Sequence, residues 1–191
     1  MRIAFTGAQG TGKTTLIRAL SNYLPNYTVY EELVRGLAKT SKVKINKEAD
    51  DASQDIISTE HLRVAVESYY SNKNVIFDRC VLDSYVYAKD SYDRKLISKS
   101  CVEYATSVID IINRYYPYDM VIYIPPKLDL IEDGVRDTNV EYRDNIDSIF
   151  REVITWHKCN YTLTSVKLDE RINEVVNIVN EKIKTKELQH G

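Results

Sequence analysis

Cysteine is scarce in this chain: Cys80, Cys101 and Cys159 are the only three in 191 residues. Their number is odd and their spacing lacks the pairs that zinc sites use. This argues against a disulfide framework or a structural metal, and for reduced thiols in a cytosol. Positive charge is not in excess either. With 26 Lys and Arg against 28 Asp and Glu, the formal net charge is −2. That excludes an overall basic field holding nucleic acid nonspecifically, though not a local groove. Long apolar runs are missing as well, since Arg2-Ile3-Ala4-Phe5 gives way to polar sequence too soon for a signal peptide or a membrane span. No membrane partner is expected, and the expected location is the cytoplasm. There are no repeats, linkers or low-complexity segments, so residues 1–191 read as a single domain large enough to bury a core without covalent help.

What is present is an alternation of short apolar runs with helical patterns. Residues 2–6 form a strand that runs into glycine-rich sequence, and 14–24 follow as a helix with Leu16, Ile17, Leu20 and Leu24 on one face. A second strand over 27–30 delivers Glu31 and Glu32, and a polar stretch over 39–47 comes next. A long helix over 50–70 leads to a third strand, Val75-Ile76-Phe77, that ends in Asp78-Arg79. Helices over 83–90 and 99–115 precede a fourth strand over 120–124, stopped by Pro125-Pro126. The charged segment 127–144 reads as a lid, followed by an amphipathic helix over 145–157, a last strand over 161–166 and a last helix over 169–184. The tail beyond Lys186 is expected to fray. Such alternation predicts an α/β fold with a five-stranded parallel sheet, helices on both faces, and ligands beyond the strand C-termini.

Every polar signal falls at those strand ends. Gly7-Ala8-Gln9-Gly10-Thr11-Gly12-Lys13-Thr14 matches G-x-x-x-x-G-K-[ST] between a strand and a helix. Glycines let the backbone wrap an anion, its amides converge on phosphate oxygens, and the helix adds its positive end. Lys13 is expected to bridge the β- and γ-phosphates of ATP, and Thr14 to offer its hydroxyl to Mg2+. Thr15 reads as a helix residue beside them. Asp78, closing an apolar strand, is expected near the Mg2+ or the acceptor hydroxyl, with Arg79 on a phosphate or the acceptor. The alternative is a strand-ending salt bridge.

Of Glu31 and Glu32 only one can point inward. Glu32 is favoured because Arg35, three residues on, can orient it, while the alternative is a solvated helix start for both. Arg136 and Arg143 in the charged segment are expected to close over the triphosphate, or else to belong to a solvated loop. Lys39, Lys42, Lys44 and Lys47 form the one local basic cluster and read as a solvated loop. His61, Trp156 and His157 read as core packing.

Taken together, the chain resembles the AAA-type ATPase and kinase family related to nicotinamide riboside kinase, many members of which are phage-encoded. The resemblance rests on the run from Gly7 to Thr15, on Glu32-x-x-Arg35, on Asp78-Arg79-Cys80-x-x-Asp83-Ser84, on Asp133-Gly134-x-Arg136 and on Tyr142-Arg143. Residues 78–85 are also similar to the Asp-Arg element of thymidylate and deoxynucleoside kinases. The resemblance implies a P-loop fold of the nucleoside and nucleotide kinase type and ATP and Mg2+ as cofactors. It gives Gly7 to Thr15 to nucleotide binding, Thr14 and Asp78 to the metal, and Lys13, Glu32, Asp78, Arg79, Arg136 and Arg143 to catalysis. It implies a small nucleoside or nucleotide as acceptor of the γ-phosphate. Two alternatives stay open: a hydroxymethyl pyrimidine within DNA as acceptor, as in some phage relatives acting in a host cytoplasm, or an ATPase or nucleotide switch with no acceptor.

Overall fold

In the computed structural model, residues 1–40, 43–45, 48–126, 140–158 and 160–190 are described. Strand β1 (Arg2–Thr6) is buried along its whole length, as are the last four residues of β3 (Asn74–Asp78) and all of β4 (Met120–Tyr123). Continuous burial, rather than an in-out alternation, marks strands covered on both faces. With β2 (Tyr27–Tyr30) and β5 (Asn160–Thr162) at the edges, they form one parallel sheet in the order β2-β3-β1-β4-β5. Ile3 stands opposite Ile76 on one side and Met120 on the other.

Because side chains alternate along a strand, each strand feeds two core layers. Ile3, Phe5, Ile76 and Ile122 pack with Leu16, Ile17 and Leu20 of α1 (Lys13–Leu20) and with Ile172, Val175 and Val179 of α7 (Leu168–His190). Ala4, Val75, Phe77 and Val121 face the other way. They meet α3 (Asp51–Tyr70), α4 (Val81–Asp93), α5 (Lys99–Tyr115) and α6 (Val140–Val153) through Ala65, Val86, Ile109 and Phe150. The expected five-stranded parallel sheet with helices on both faces is thus what forms.

Several boundaries differ from the sequence expectation. Helix α1 stops at Leu20 instead of Leu24, because Tyr23 and Leu24 turn back to bond the Leu20 carbonyl ahead of Pro25. A further helix, α2 (Leu33–Thr40), follows β2, where the sequence offered a helix start at Glu31 and Glu32 only as the alternative. Helix α4 begins two residues early, because Asp83 is the third residue of a capping box with Cys80 rather than the helix start. Helix α6 starts at Val140, so the last five residues assigned to the lid are helical, and a 3-10 turn (Ile154–Trp156) follows α6. Residues 127–139, the remainder of that segment, lie outside the described residues. Strand β5 ends at Thr162, and α7 runs on through the tail that was expected to fray. Among the described residues no helix is long and apolar enough to cross a membrane.

Candidate active site

The chain leaves β1 at Gly7 with φ 136°. A Cβ there would sit 2.5 Å from the Ile124 carbonyl oxygen, so both the backbone angle and the space demand glycine. Gly10 (φ 73°) and Gly12 (φ 83°) then turn the chain into α1, which starts at Lys13. The first amides of α1 are thereby left facing the loop, the arrangement that holds phosphate. Gly7→Ala is expected to destabilise the protein by about 1–3 kcal/mol, measurable as a lowered denaturation midpoint.

Lys13 is buried inside its own loop. Its ammonium donates to the Gly7 carbonyl at 2.7 Å, the Ala8 carbonyl at 2.6 Å and the Thr11 hydroxyl at 3.0 Å. Burial, and then Arg79, lowers its pKa to about 7, against the pull of Asp83, Asp78 and Glu32. Ala8 and Thr11 are buried, the Thr11 hydroxyl donating to the Ala8 carbonyl at 3.1 Å. Gln9 accepts from the Tyr87 hydroxyl at 3.2 Å. Thr15 is exposed. The Thr14 hydroxyl donates to Asp78 Oδ2 at 2.6 Å, while Asp78 Oδ1 is buried without a partner.

A hydroxyl beside a carboxylate with an unsatisfied oxygen is the kind of hard oxygen donor set that Mg2+ takes together with phosphates and water. The residues therefore fit the ion. Among the described residues no group of three or more His, Cys, Asp or Glu could hold a metal without such help.

Arg79 follows directly, with a left-handed φ of 84°, a conformation uncommon outside glycine and frequent at functional sites. Its amide donates to the Phe5 carbonyl at 2.9 Å, which fixes the kink against β1. The side chain donates to Glu32 Oε1 through Nε at 2.7 Å and to Asp83 Oδ1 through Nη1 at 2.8 Å. Burial opposes its charge, but Tyr87, Glu32, Asp83 and Asp78 outweigh burial and raise its pKa well above the ordinary value. Burial likewise pushes the Glu32 pKa up, and Arg79 and Arg35 more than reverse this, leaving it lowered. Arg35 stands 3.5 Å from Glu32, whereas Glu31 is exposed.

Asp83 was given no role of its own by the sequence reading. Its Oδ2 accepts from the Thr6 hydroxyl at 2.7 Å and from the Cys80 amide at 3.0 Å, so it fastens the end of β1, the start of α4 and Arg79 to one another. The strand-ending salt bridge that the sequence offered as the alternative is present for Arg79, and it aims the arginine at the loop mouth.

Two cavities meet at this cluster. The first, of about 230 Å³, lies between α2, α3 and α4, with Gln9, Glu32, Arg79 and Asp83 at one end and Ile57, His61 and Ser84 along its walls. The second, of about 470 Å³, lies behind α2 and reaches Thr14 and Asp78 past Arg18, Leu33 and Arg63. Glu32, Arg35 and Lys39 line both, so α2 is the partition. Its outer residues could not be assigned a pocket from sequence, because the extent of the helix was not recognised.

The remaining expectations divide. Arg136 lies outside the described residues, as do Asp133 and Gly134. Arg143 is in the first turns of α6, largely buried beside Asp144, and lines neither cavity, although its neighbour Tyr142 lines the first. It is a helix residue, not a loop residue. Of the basic cluster, Lys39 belongs to α2 and Lys44 is paired with Asp50 at 2.8 Å, while Lys42 and Lys47 are not among the described residues. Trp156 is 41% exposed, edge-on to Tyr85, and so is only partly packed. His157 is buried against Tyr118. His61 is buried too, but on the cavity wall instead of in an apolar layer.

One contributor was missed altogether. Arg171, in the first turn of α7, donates to the Thr11 carbonyl at 2.7 Å and to the Ser165 carbonyl at 3.0 Å, binding the phosphate loop to the segment after β5. A lone arginine in a helix rich in charge carries no sequence signal for such a contact.

Strand order, phosphate loop and Asp-Arg strand end define a P-loop fold of the nucleoside kinase type. The chain belongs to the AAA domain family, whose sequence model matches residues 2–171. Among curated proteins no match is found. Solved structures share the fold. A deoxyadenosine kinase from M. mycoides, with products dCMP and a flexible dCDP bound, is 19% identical over 95% of this chain and 100% of its own, with a TM-score of 0.66. The NadR protein in complex with NR is 21% identical over 94% of this chain and 50% of its own, with a TM-score of 0.73. NadR with NAD and AMP-PNP is 20% identical, with a TM-score of 0.68 over 94% of this chain and 48% of its own.

Proposed function

We propose that the protein transfers the γ-phosphate of ATP to a hydroxyl group of a nucleoside-like acceptor held in the first cavity. The observation that carries this reading is the Glu32–Arg79–Asp83 cluster, which lies where the cavity between α2, α3 and α4 meets Gln9 of the phosphate loop. A hydrolase or nucleotide switch needs no such chamber. The kinase fold shared with deoxyadenosine kinase and NadR supports the same reading.

In this mechanism Lys13 exchanges its loop carbonyls for the β- and γ-phosphates, and the amides of α1 hold the remaining oxygens. Thr14 and Asp78 would hold Mg2+, which supplies neutralisation of the charge on the transferring group. Glu32, oriented by Arg79 and Arg35, accepts the proton of the acceptor hydroxyl as the oxygen attacks phosphorus and ADP departs. Arg79 and Asp83 keep that carboxylate in place, and Arg79 faces the γ-phosphate with its charge. A DNA-borne acceptor lacks comparable support, because Lys44 of the basic cluster is already paired.

The test is ADP formation from Mg-ATP across a panel of nucleosides and nucleoside monophosphates. Turnover stimulated at least tenfold by a nucleoside is expected, an effect of about 1.4 kcal/mol or more. The same turnover with and without every member of the panel would sink the reading.

A further inference from the structure

The walls of the first cavity carry more information about the acceptor than the loop does. Gln54, Ile57 and His61 come from one stripe of α3, at positions i, i+3 and i+7. Most of the polar groups around them are already bonded. The Gln54 amide nitrogen donates to the Ser84 carbonyl at 3.0 Å, and the Ser84 hydroxyl shares a hydrogen bond with Ser58 at 2.7 Å. Two residues that line the cavity each hold a buried nitrogen without a partner among the described residues: His61 Nε2 and Gln9 Nε2. The two residues are 6% and 5% exposed, so water does not freely satisfy them. Burial lowers the His61 pKa to about 4, with Asp83 and Arg79 acting in opposite directions, and the imidazole is therefore neutral near pH 7. Buried polar atoms are ordinarily bonded, and here the missing partner belongs to whatever fills the cavity.

The charge pattern narrows that ligand. Both carboxylates on the wall, Glu32 and Asp83, are bonded to Arg79. The two tyrosine rings on the wall are also engaged by cations: Arg79 lies over Tyr87 at 5.5 Å and Arg94 over Tyr142 at 5.3 Å. A positively charged ring is recognised by aromatic faces or carboxylates, and here both kinds of group already serve arginines. The cavity therefore suits an apolar, uncharged ring with a polar edge.

We infer that the acceptor is an uncharged nucleoside whose base bonds to His61 Nε2 and Gln9 Nε2, and that a pyridinium nucleoside is rejected. This rests on the kinase reading for its place in the reaction, but binding alone can decide it. Calorimetric titration of the ADP-loaded protein with adenosine, deoxyadenosine, cytidine, thymidine and nicotinamide riboside, alongside ADP-release rates, provides the test. At least one neutral nucleoside is expected to bind, with nicotinamide riboside about tenfold weaker or worse. His61→Leu is expected to raise the KM of the best neutral nucleoside about tenfold, with the KM for ATP little changed, and His61→Asn to recover part of the loss. Thermal melts establish that each variant is folded.

Nicotinamide riboside binding as tightly as the best neutral nucleoside would overturn the inference. So would a His61→Leu variant with unchanged acceptor affinity. Nucleoside binding that depends on His61 without any turnover would sustain the inference and remove the kinase reading. Efficient turnover of nicotinamide riboside would do the reverse, and no binding of any nucleoside would remove both.

Discussion

Glu32→Gln is expected to lower acceptor-dependent kcat by about 10²–10⁴-fold, the range that a positioned general base supplies. The amide keeps an oxygen for the Arg79 Nε–H, which Glu32 accepts at 2.7 Å in the native chain, so the cavity wall is preserved. Affinity for ATP is expected to change little, since Lys13 and the loop amides are untouched. Arg79→Lys separates the base from its tether. A lysine cannot bond Glu32 and Asp83 with the fixed fork of a guanidinium, so kcat should fall while Glu32 retains its proton-accepting oxygen.

The pH profile gives an independent check. Burial raises the Glu32 pKa but Arg79 and Arg35 lower it further, so the net position is below the ordinary 4.5. A depressed carboxylate contributes stability at pH values above its unfolded pKa and loses it as the pH falls through the folded one. The acid limb of kcat/KM should accordingly lie below pH 4.5, and a limb near neutrality would assign the base elsewhere. Equal kcat for Glu32→Gln and the native chain would remove Glu32 from the chemistry.

The second large effect concerns Lys13. Lys13→Ala should weaken Mg-ATP binding about 100-fold, roughly 2.7 kcal/mol, which is what loss of one or two charge-assisted phosphate bonds costs. The proton balance is more diagnostic than the affinity. With its pKa lowered to about 7, the free ammonium is largely deprotonated at pH 8, and phosphate contact restores the charge. ATP binding should therefore take up close to one proton at pH 8 and almost none at pH 6. Calorimetry in Tris and in HEPES, whose ionisation enthalpies differ, reads this directly. The same group makes the unliganded protein more stable as pH rises from about 7 toward 10.5, because the unfolded lysine binds the proton that the folded one has lost. Binding heats at pH 8 that do not depend on the buffer would overturn this account of Lys13.

How much of this could be read from sequence follows from the range of each interaction. The phosphate loop was legible because eight consecutive residues encode it, and β1, β3 and β4 because strands buried on both faces have apolar centres, Ile3-Ala4-Phe5, Val75-Ile76-Phe77 and Met120-Val121-Ile122. Helix α5 matched its expected limits, since its apolar residues recur cleanly at helical spacing. The extent of helix α2 was not legible, because its eight residues hold only a short apolar stripe beside a polar stretch, and contact with α3 adds to what propensity supplies. The contact of Arg171 with Thr11 spans 160 positions, and the bonds from Asp83 to Thr6 span 77. No local pattern records either. His61 shows the same gap, since its helical position fixes its burial but only the folded cavity shows what it faces.

The order β2-β3-β1-β4-β5 also governs how the chain comes into being on a ribosome. Once β3 has emerged, β1 can pair on one side only, and its other edge stays open, with Ile3 and Phe5 on one face and Ala4 on the opposite one. Its second neighbour begins at Met120, roughly forty residues later, a delay of about 2–8 s at ordinary synthesis rates. During those seconds the nascent phosphate loop lacks the Ile124 carbonyl that packs against Gly7, and its fastening by Arg171 comes later still. Expression at high density should therefore lose chains to edge pairing between neighbouring ribosomes, and slower initiation or a bound chaperone should recover them.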